Sequence, residues 1–238
     1  MNLLRNHTAT TIRPTRDNPT SEVPPITSFH PNSPALKVSF AQATFDAEGT
    51  EQRNRFFSRQ IHWPGGAASG VTVGRGYDMG NRSSSEVRSE LTKAGVPASD
   101  ASFFSQAARL KGRDAREFVE DNREHAPVIT LAAQKRLFEQ VLVPYYVADI
   151  KRIFARSDVV AKYGDASWEK LSGTTKEVLF DLRYRGDYTS ATREILQPLL
   201  VENDGAGVAD LIRDRSYWAE RGVPRVRIER RIGLAGSN

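Results

Sequence analysis

Glu48, Thr72 and Asp78 lie in one glycine-rich stretch, and their types and spacing suit chemistry on a glycosidic bond. Breaking such a bond takes a protonated carboxylic acid on the leaving oxygen and an ionised carboxylate on the opposite side, which orients water or attacks carbon directly. Glu48 and Asp78 can fill those roles, and a threonine hydroxyl can hold the water. Glu48 precedes Gly49, Thr72 stands in Val71-Thr72-Val73, and Asp78 follows the bend Gly74-Arg75-Gly76-Tyr77. Taken singly, each has an ordinary use: a helix-end acid, a strand former, a turn cap. As a set they point to one site. Trp63 and Tyr77 are candidates to stack on sugar rings, and Arg75 to hold Glu48 or a substrate carboxylate. Arg185, in Tyr184-Arg185-Gly186-Asp187, is a candidate for the far side of a cleft or for an ion pair closing a helix end.

These words also carry a family resemblance. Glu48-Gly49-Thr50-Glu51, His62-Trp63-Pro64-Gly65-Gly66, the run from Ser69 to Asp78 and Leu182-Arg183-Tyr184-Arg185-Gly186-Asp187 resemble the pesticin-type muramidase domain and, more distantly, the phage lysozymes. The resemblance implies that Glu48, Thr72 and Asp78 form a catalytic trio acting on the bond between N-acetylmuramic acid and N-acetylglucosamine. Here the threonine precedes the aspartate, the reverse of the phage order. The implied fold is α+β and lysozyme-like: a small lobe with a β-hairpin, a larger all-helical lobe, and the active-site cleft between. The implied role is an antibacterial toxin, with a phage-type endolysin or a non-catalytic peptidoglycan-binding module as alternatives. Inversion is the expected outcome, which requires the two carboxyl groups to stand roughly 6.5–9.5 Å apart.

The elements around the trio are legible from periodicity. Ser83-x-x-Glu86 is a capping box, Val87, Leu91 and Ala94 share a face, and Gly95 with Pro97 ends that helix. Helices are expected over 101–110, closed by Gly112, and over 113–122. A long one begins at Thr130 and is kinked or split by Pro144. Another is capped by Thr174-x-x-Glu177. Shorter ones cover 195–200, 208–212 and 226–232.

Residues 1–44 are rich in Thr, Ser, Pro and Asn and read as a disordered or extended leader, leaving 45–238 as the folded domain. The first residues lack the apolar core of a secretory signal, and no apolar run is long enough to span a membrane. The expected location is synthesis in a bacterial cytoplasm and delivery to the periplasm of a target cell. The chain has no cysteine, so disulfides and thiolate metal sites are excluded. Its four histidines, His7, His30, His62 and His125, have no i, i+4 partner, so neither metal nor cofactor is expected.

Net charge is +5, with Arg213, Arg215, Arg221, Arg225, Arg227, Arg230 and Arg231 crowded near the end. A basic face suits an anionic polymer. Without a recognition helix, zinc finger or aromatic RNA-binding strand, peptidoglycan glycan strands are favoured over nucleic acid. Pairing of these arginines with Asp214, Glu220 and Glu229 on a solvated helix is the plainer expectation. A periplasmic immunity protein is the expected protein partner.

Overall fold

The computed structural model describes residues 36–236. Most of them are helical, with one small antiparallel sheet, an α+β arrangement. The leader expectation falls mainly on residues outside the described range, but its boundary moves. Helix α1 spans Gln42–Ala47, and Leu36, Ala41 and Thr44 are already buried, so packing begins before residue 45.

The sheet pairs β1 (Thr72–Val73) with β2 (Tyr77–Asp78), in register Thr72 to Asp78 and Val73 to Tyr77. Gly74 and Gly76 both have positive φ in the connecting turn, a conformation that disfavours a Cβ. His62 extends the ladder, exchanging both backbone hydrogen bonds with Thr72 at 2.9 Å. Because strand side chains alternate, Thr72 and Asp78 share one face, and Val73 and Tyr77 the other. The second face is core: Val73, Tyr77 and Met79 are fully buried with Val87 and Leu91.

Those last two belong to α2 (Ser84–Lys93), which starts at the expected capping box: Ser83 accepts from the Glu86 N–H while the Glu86 carboxylate accepts from the Ser83 N–H. Helix α3 covers Ala98–Phe104 and passes into a tight turn at Ser105–Ala107. Gly112 does not close this segment as expected but opens α4 (Gly112–Asn122). Thr130 caps α5 (Leu131–Leu137) through its side-chain bond with the Ala133 N–H. The expected long helix is then divided by a π-helical turn, Phe138–Leu142, before α6 (Val143–Phe154). Pro144 explains the division. It has no N–H to give to the carbonyl four residues back, and its ring crowds that carbonyl. The carbonyl is that of Gln140, and it accepts instead from the Lys93 ammonium at 3.2 Å.

The remaining helices are α7 (Ser157–Tyr163), α8 (Gly173–Arg185), α9 (Ser190–Val201), α10 (Gly205–Arg213), α11 (Arg215–Glu220) and α12 (Arg225–Ala235). Helices α7 and α11 were not anticipated, and both are short. The cap of α8 is Ser172, two residues before the expected Thr174, with its hydroxyl accepting from the Thr175 N–H at 3.1 Å. Ile150, Leu179, Leu182, Leu196, Ile212, Trp218 and Ile228 form the middle of one apolar cluster beneath these helices.

Helix α8 carries an acid inside that apolar setting. Asp181 is 2% exposed and accepts hydrogen bonds from the Thr44 hydroxyl at 2.8 Å, from Arg227 Nε at 3.0 Å and from Arg231 Nε at 2.7 Å. This ties α1, α8 and α12 together. Burial opposes ionisation of Asp181, but the hydrogen bonds and charges of Arg227 and Arg231 outweigh it and hold its carboxyl below the usual range. A depressed folded-state value means that the contribution to stability is present above the unfolded value of about 3.9. It is lost as pH falls through the lower folded value. Asp181→Ala removes the carboxylate that two buried guanidiniums share, leaving each with a single acidic partner, and is expected to cost about 3 kcal/mol. Denaturant unfolding at neutral pH measures this, and the deficit relative to the parent should shrink in strong acid.

Candidate active site

Glu48 sits immediately past the C-terminus of α1, where its N–H still bonds the Thr44 carbonyl at 3.0 Å. Its carboxylate is about a quarter exposed and receives Arg227 Nη1 at 2.6 Å. Arg227 is itself fixed by Asp181, so one guanidinium aligns the candidate acid against a buried anchor. Arg231 continues the chain of pairs from Asp181 to Asp187, and Asp187 pairs with Arg185.

On the hairpin, Asp78 and Thr72 are direct cross-strand partners, a placement that puts their Cβ atoms about 4.5–5.5 Å apart. Both side chains meet at Gly70. The Thr72 hydroxyl donates to the Gly70 carbonyl at 3.3 Å, and Asp78 Oδ2 accepts from the Gly70 N–H at 3.0 Å. Asp78 Oδ1 accepts from the Gly80 N–H at 2.6 Å. Asp78 therefore braces the base of the hairpin rather than the turn toward Asn81 and Ser83. The glycine at 70 is required by this close approach: a Cβ there would lie 2.3 Å from Asp78 Oδ1 and 2.4 Å from the Gly80 nitrogen. Gly70→Ala must displace the carboxylate or the Gly80 backbone, so the expected result is a lowered melting temperature, read by thermal unfolding.

Aromatic side chains connect the hairpin with the end of α1. Tyr184 is buried and its hydroxyl donates to the Arg75 carbonyl in the hairpin turn. A Cβ at Gly76 would stand 2.7 Å from that hydroxyl, which keeps the turn a glycine. Tyr146 packs on Tyr184 with ring centroids 4.4 Å apart, and Tyr145 stands edge-on to Tyr146 at 5.2 Å. Burial, with the nearby Glu48 charge adding to it, raises the Tyr184 phenol well above its usual range. Tyr146 is pushed up to about 12, for burial first and then the neighbouring Tyr145 and Glu48. Both remain protonated donors at any working pH. Arg82 lies on the same wall: it donates to the Asp78 carbonyl and to Glu90, and covers the Tyr77 ring at 4.2 Å.

Other sequence expectations are corrected. Tyr77 is fully buried, with its hydroxyl on Glu90 at 2.6 Å, so its ring cannot stack on a ligand. Arg75 is 4% exposed, lies over Phe45 at 4.4 Å and pairs with Glu51 at 2.9 Å; it holds neither Glu48 nor a substrate. Arg185 is engaged by Asp187 and by the Gly222 carbonyl, beside the left-handed Gly186 that ends α8, which is the ion-pair alternative. Trp63 is only partly buried and lines a groove near the hairpin. His62 is buried beside Thr72 in the ladder. Burial lowers its titration, and its Nδ1 donates to the Gln60 carbonyl at 3.1 Å, partly opposing the shift.

Sequence reasoning missed Arg227, Arg82, Tyr146 and Tyr184. Asp181 within the apolar run Val178-Leu179-Phe180-Asp181-Leu182 was the available signal for an inward-facing arginine. The arginine pairings expected with Asp214 and Glu220 are replaced by these inward pairs, while Arg215 does reach Glu229 at 2.8 Å. Among the described residues, no helix is long and apolar enough to cross a membrane, and no cluster of three or more metal-ligating side chains occurs.

No curated protein matches the chain. A family model described as Domain of unknown function (DUF8812) matches residues 41–232, from the start of α1 through most of α12, and so spans Glu48, the hairpin, Asp181 and Arg227 together. By that match, which covers most of the sequence, the protein belongs to the DUF8812 family.

Proposed function

We propose that the protein is a peptidoglycan hydrolase, a pesticin-type muramidase of lysozyme-like fold. In this reading the hairpin and its surroundings form a small lobe, α6–α12 a larger helical one, and the β-1,4 bond between N-acetylmuramic acid and N-acetylglucosamine is cut between them. The observation that carries the reading is the pairing of Thr72 with Asp78 across the hairpin while Arg227 fixes Glu48 beside the aromatic wall that the hairpin turn touches.

Glu48 gives its proton to the glycosidic oxygen as the bond to the anomeric carbon breaks. Asp78 takes a proton from the water that attacks that carbon from the other side, so one water is consumed and the configuration inverts. Thr72 orients Asp78 and the water through Gly70. Tyr146, protonated throughout, offers a donor, and with Tyr184 it forms an apolar wall that strengthens charge interactions. The biological role is that of an antibacterial effector acting in the periplasm of a target cell, held in check by an immunity protein.

The test is clearing of purified cell walls by the full-length protein, with release of new reducing ends at muramic acid. Absence of both sinks the reading. Growth arrest on targeting the chain to the periplasm, with none in the cytoplasm, tests the effector role. One observation favours a second reading, a wall-binding module without turnover: both Asp78 oxygens are already bonded to backbone N–H groups. That module binds walls and does not clear them.

A further inference from the structure

Between α11 and α12 lies a groove of about 290 Å³, with Ala219, Val223 and Ile228 as its apolar floor and Arg215, Arg225 and Glu229 as its rim. Beside it on α12 stands Val226, 67% exposed, the most exposed large apolar side chain among the described residues. The charge around this apolar surface is unbalanced. Glu229, the acid of the rim, is taken up by Arg215 through two hydrogen bonds, at 2.8 and 3.0 Å. Arg225 has no ion pair among the described residues, and neither has Arg230, one turn beyond Val226. From Arg215 to Arg230 the exposed charges are Arg215, Arg221, Arg225 and Arg230 against Glu220 and Glu229, so the face is basic.

We propose that this face docks an acidic amphipathic helix of a partner protein, with an apolar anchor seated on Ala219, Val223 and Ile228 and carboxylates of the same helix on Arg225 and Arg230. The floor calls for an apolar side chain and the unpaired arginines call for anions, and one helix supplies both. Its apolar residues recur on one face at helical spacing, which suits a groove formed by two helices. Its flanking carboxylates take guanidinium groups through paired hydrogen bonds. A phosphodiester chain would satisfy the arginines but leave the floor and Val226 uncovered. Residues two apart on a helix are roughly 200° apart around its axis, so Arg227 leaves α12 on the side away from Arg225. From there it reaches Glu48 and Asp181. The partner therefore grips, from outside, the helix that fixes Glu48, and such docking does not require that the protein cut glycan strands.

The experiment titrates the full chain into a fluorescein-labelled synthetic helical peptide that carries leucines at helical spacing between glutamates, followed by anisotropy. Two companion peptides replace the leucines by serine or the glutamates by glutamine. The acidic leucine peptide should bind saturably, more weakly as salt is raised, and both companions should bind at least several-fold more weakly. Ala219→Trp fills the groove from an exposed position and should abolish the preference for leucine over serine. Arg225→Gln combined with Arg230→Gln should weaken the acidic peptide roughly three- to tenfold, the worth of two exposed ion pairs, and abolish the preference for glutamate over glutamine. Both arginines are exposed, so this second protein covers the case in which Ala219→Trp does not fold, and melting temperature is the control for each. Absence of saturation by about 1 mM, or unchanged affinity in both variants, overturns the proposal. So does binding of the serine peptide or of a DNA duplex as tight as that of the leucine peptide, which would make the face a plain basic patch.

Discussion

Glu48→Gln is expected to lower the rate of wall clearing by about 10²–10⁴-fold, the usual worth of a positioned general acid. The substitution is chosen for what it preserves. The glutamine carbonyl can still accept Arg227 Nη1, so the link from Glu48 through Arg227 to Asp181 survives, and the N–H of residue 48 still closes α1 on Thr44. What disappears is the proton that the proposed mechanism gives to the leaving oxygen. The melting temperature should therefore move by no more than about 2–4 °C, the equivalent of roughly 1 kcal/mol at this size. A contrast sharpens the result: a substrate with a leaving group too acidic to need protonation should regain most of the lost rate in Glu48→Gln. Clearing at the parental rate would remove Glu48 from the chemistry whatever the fate of Asp78.

The parts of this fold that the sequence shows plainly are those set by neighbours in the chain. The Ser83 capping box, the Thr130 cap, the glycine-bearing hairpin turn and the division at Pro144 are all local effects, read within a few residues. The errors have physical causes. Asp78 and Tyr77 are adjacent on one strand, so alternation forbids both from facing the same ligand, and Thr72 facing Asp78 forces Tyr77 into the core. That conflict was present in the sequence. Arg227 was different: its partners Asp181 and Glu48 are 46 and 179 residues away, and no periodicity reveals an ion pair across such separations. A run of arginines on a helix reads as solvated until the fold brings an isolated buried acid beneath it. Gly70 illustrates a third case. In sequence it is one more glycine of a glycine-rich stretch, whereas its constraint is the approach of Asp78 and Gly80, a contact made only after the strands pair.

Under the proposed mechanism, Asp78→Asn is expected to lower clearing on the order of 10⁴-fold, combining loss of the general base with loss of the negative charge opposite the oxocarbenium-like sugar. The geometry complicates the swap in a way that can be measured. Asp78 accepts one backbone N–H on each oxygen, from Gly70 and from Gly80. An amide has one acceptor and one donor, so it satisfies one of these and opposes the other, at about 1–3 kcal/mol of stability. Activity must therefore be compared well below the melting temperature of the variant, with binding to walls as a check that the hairpin is intact. A stability loss with near-parental clearing would make Asp78 a brace for the hairpin and defeat the mechanism. A second variant separates charge from shape: Asp78→Gly leaves space beside Gly70 and Gly80, and added formate places a free carboxylate in it. If the carboxylate at this position activates water, formate should restore clearing in Asp78→Gly in a concentration-dependent way and do nothing for Glu48→Gln. If Asp78 only braces the hairpin, formate should leave the glycine variant as it was, because an untethered anion cannot hold Gly70 and Gly80 in register.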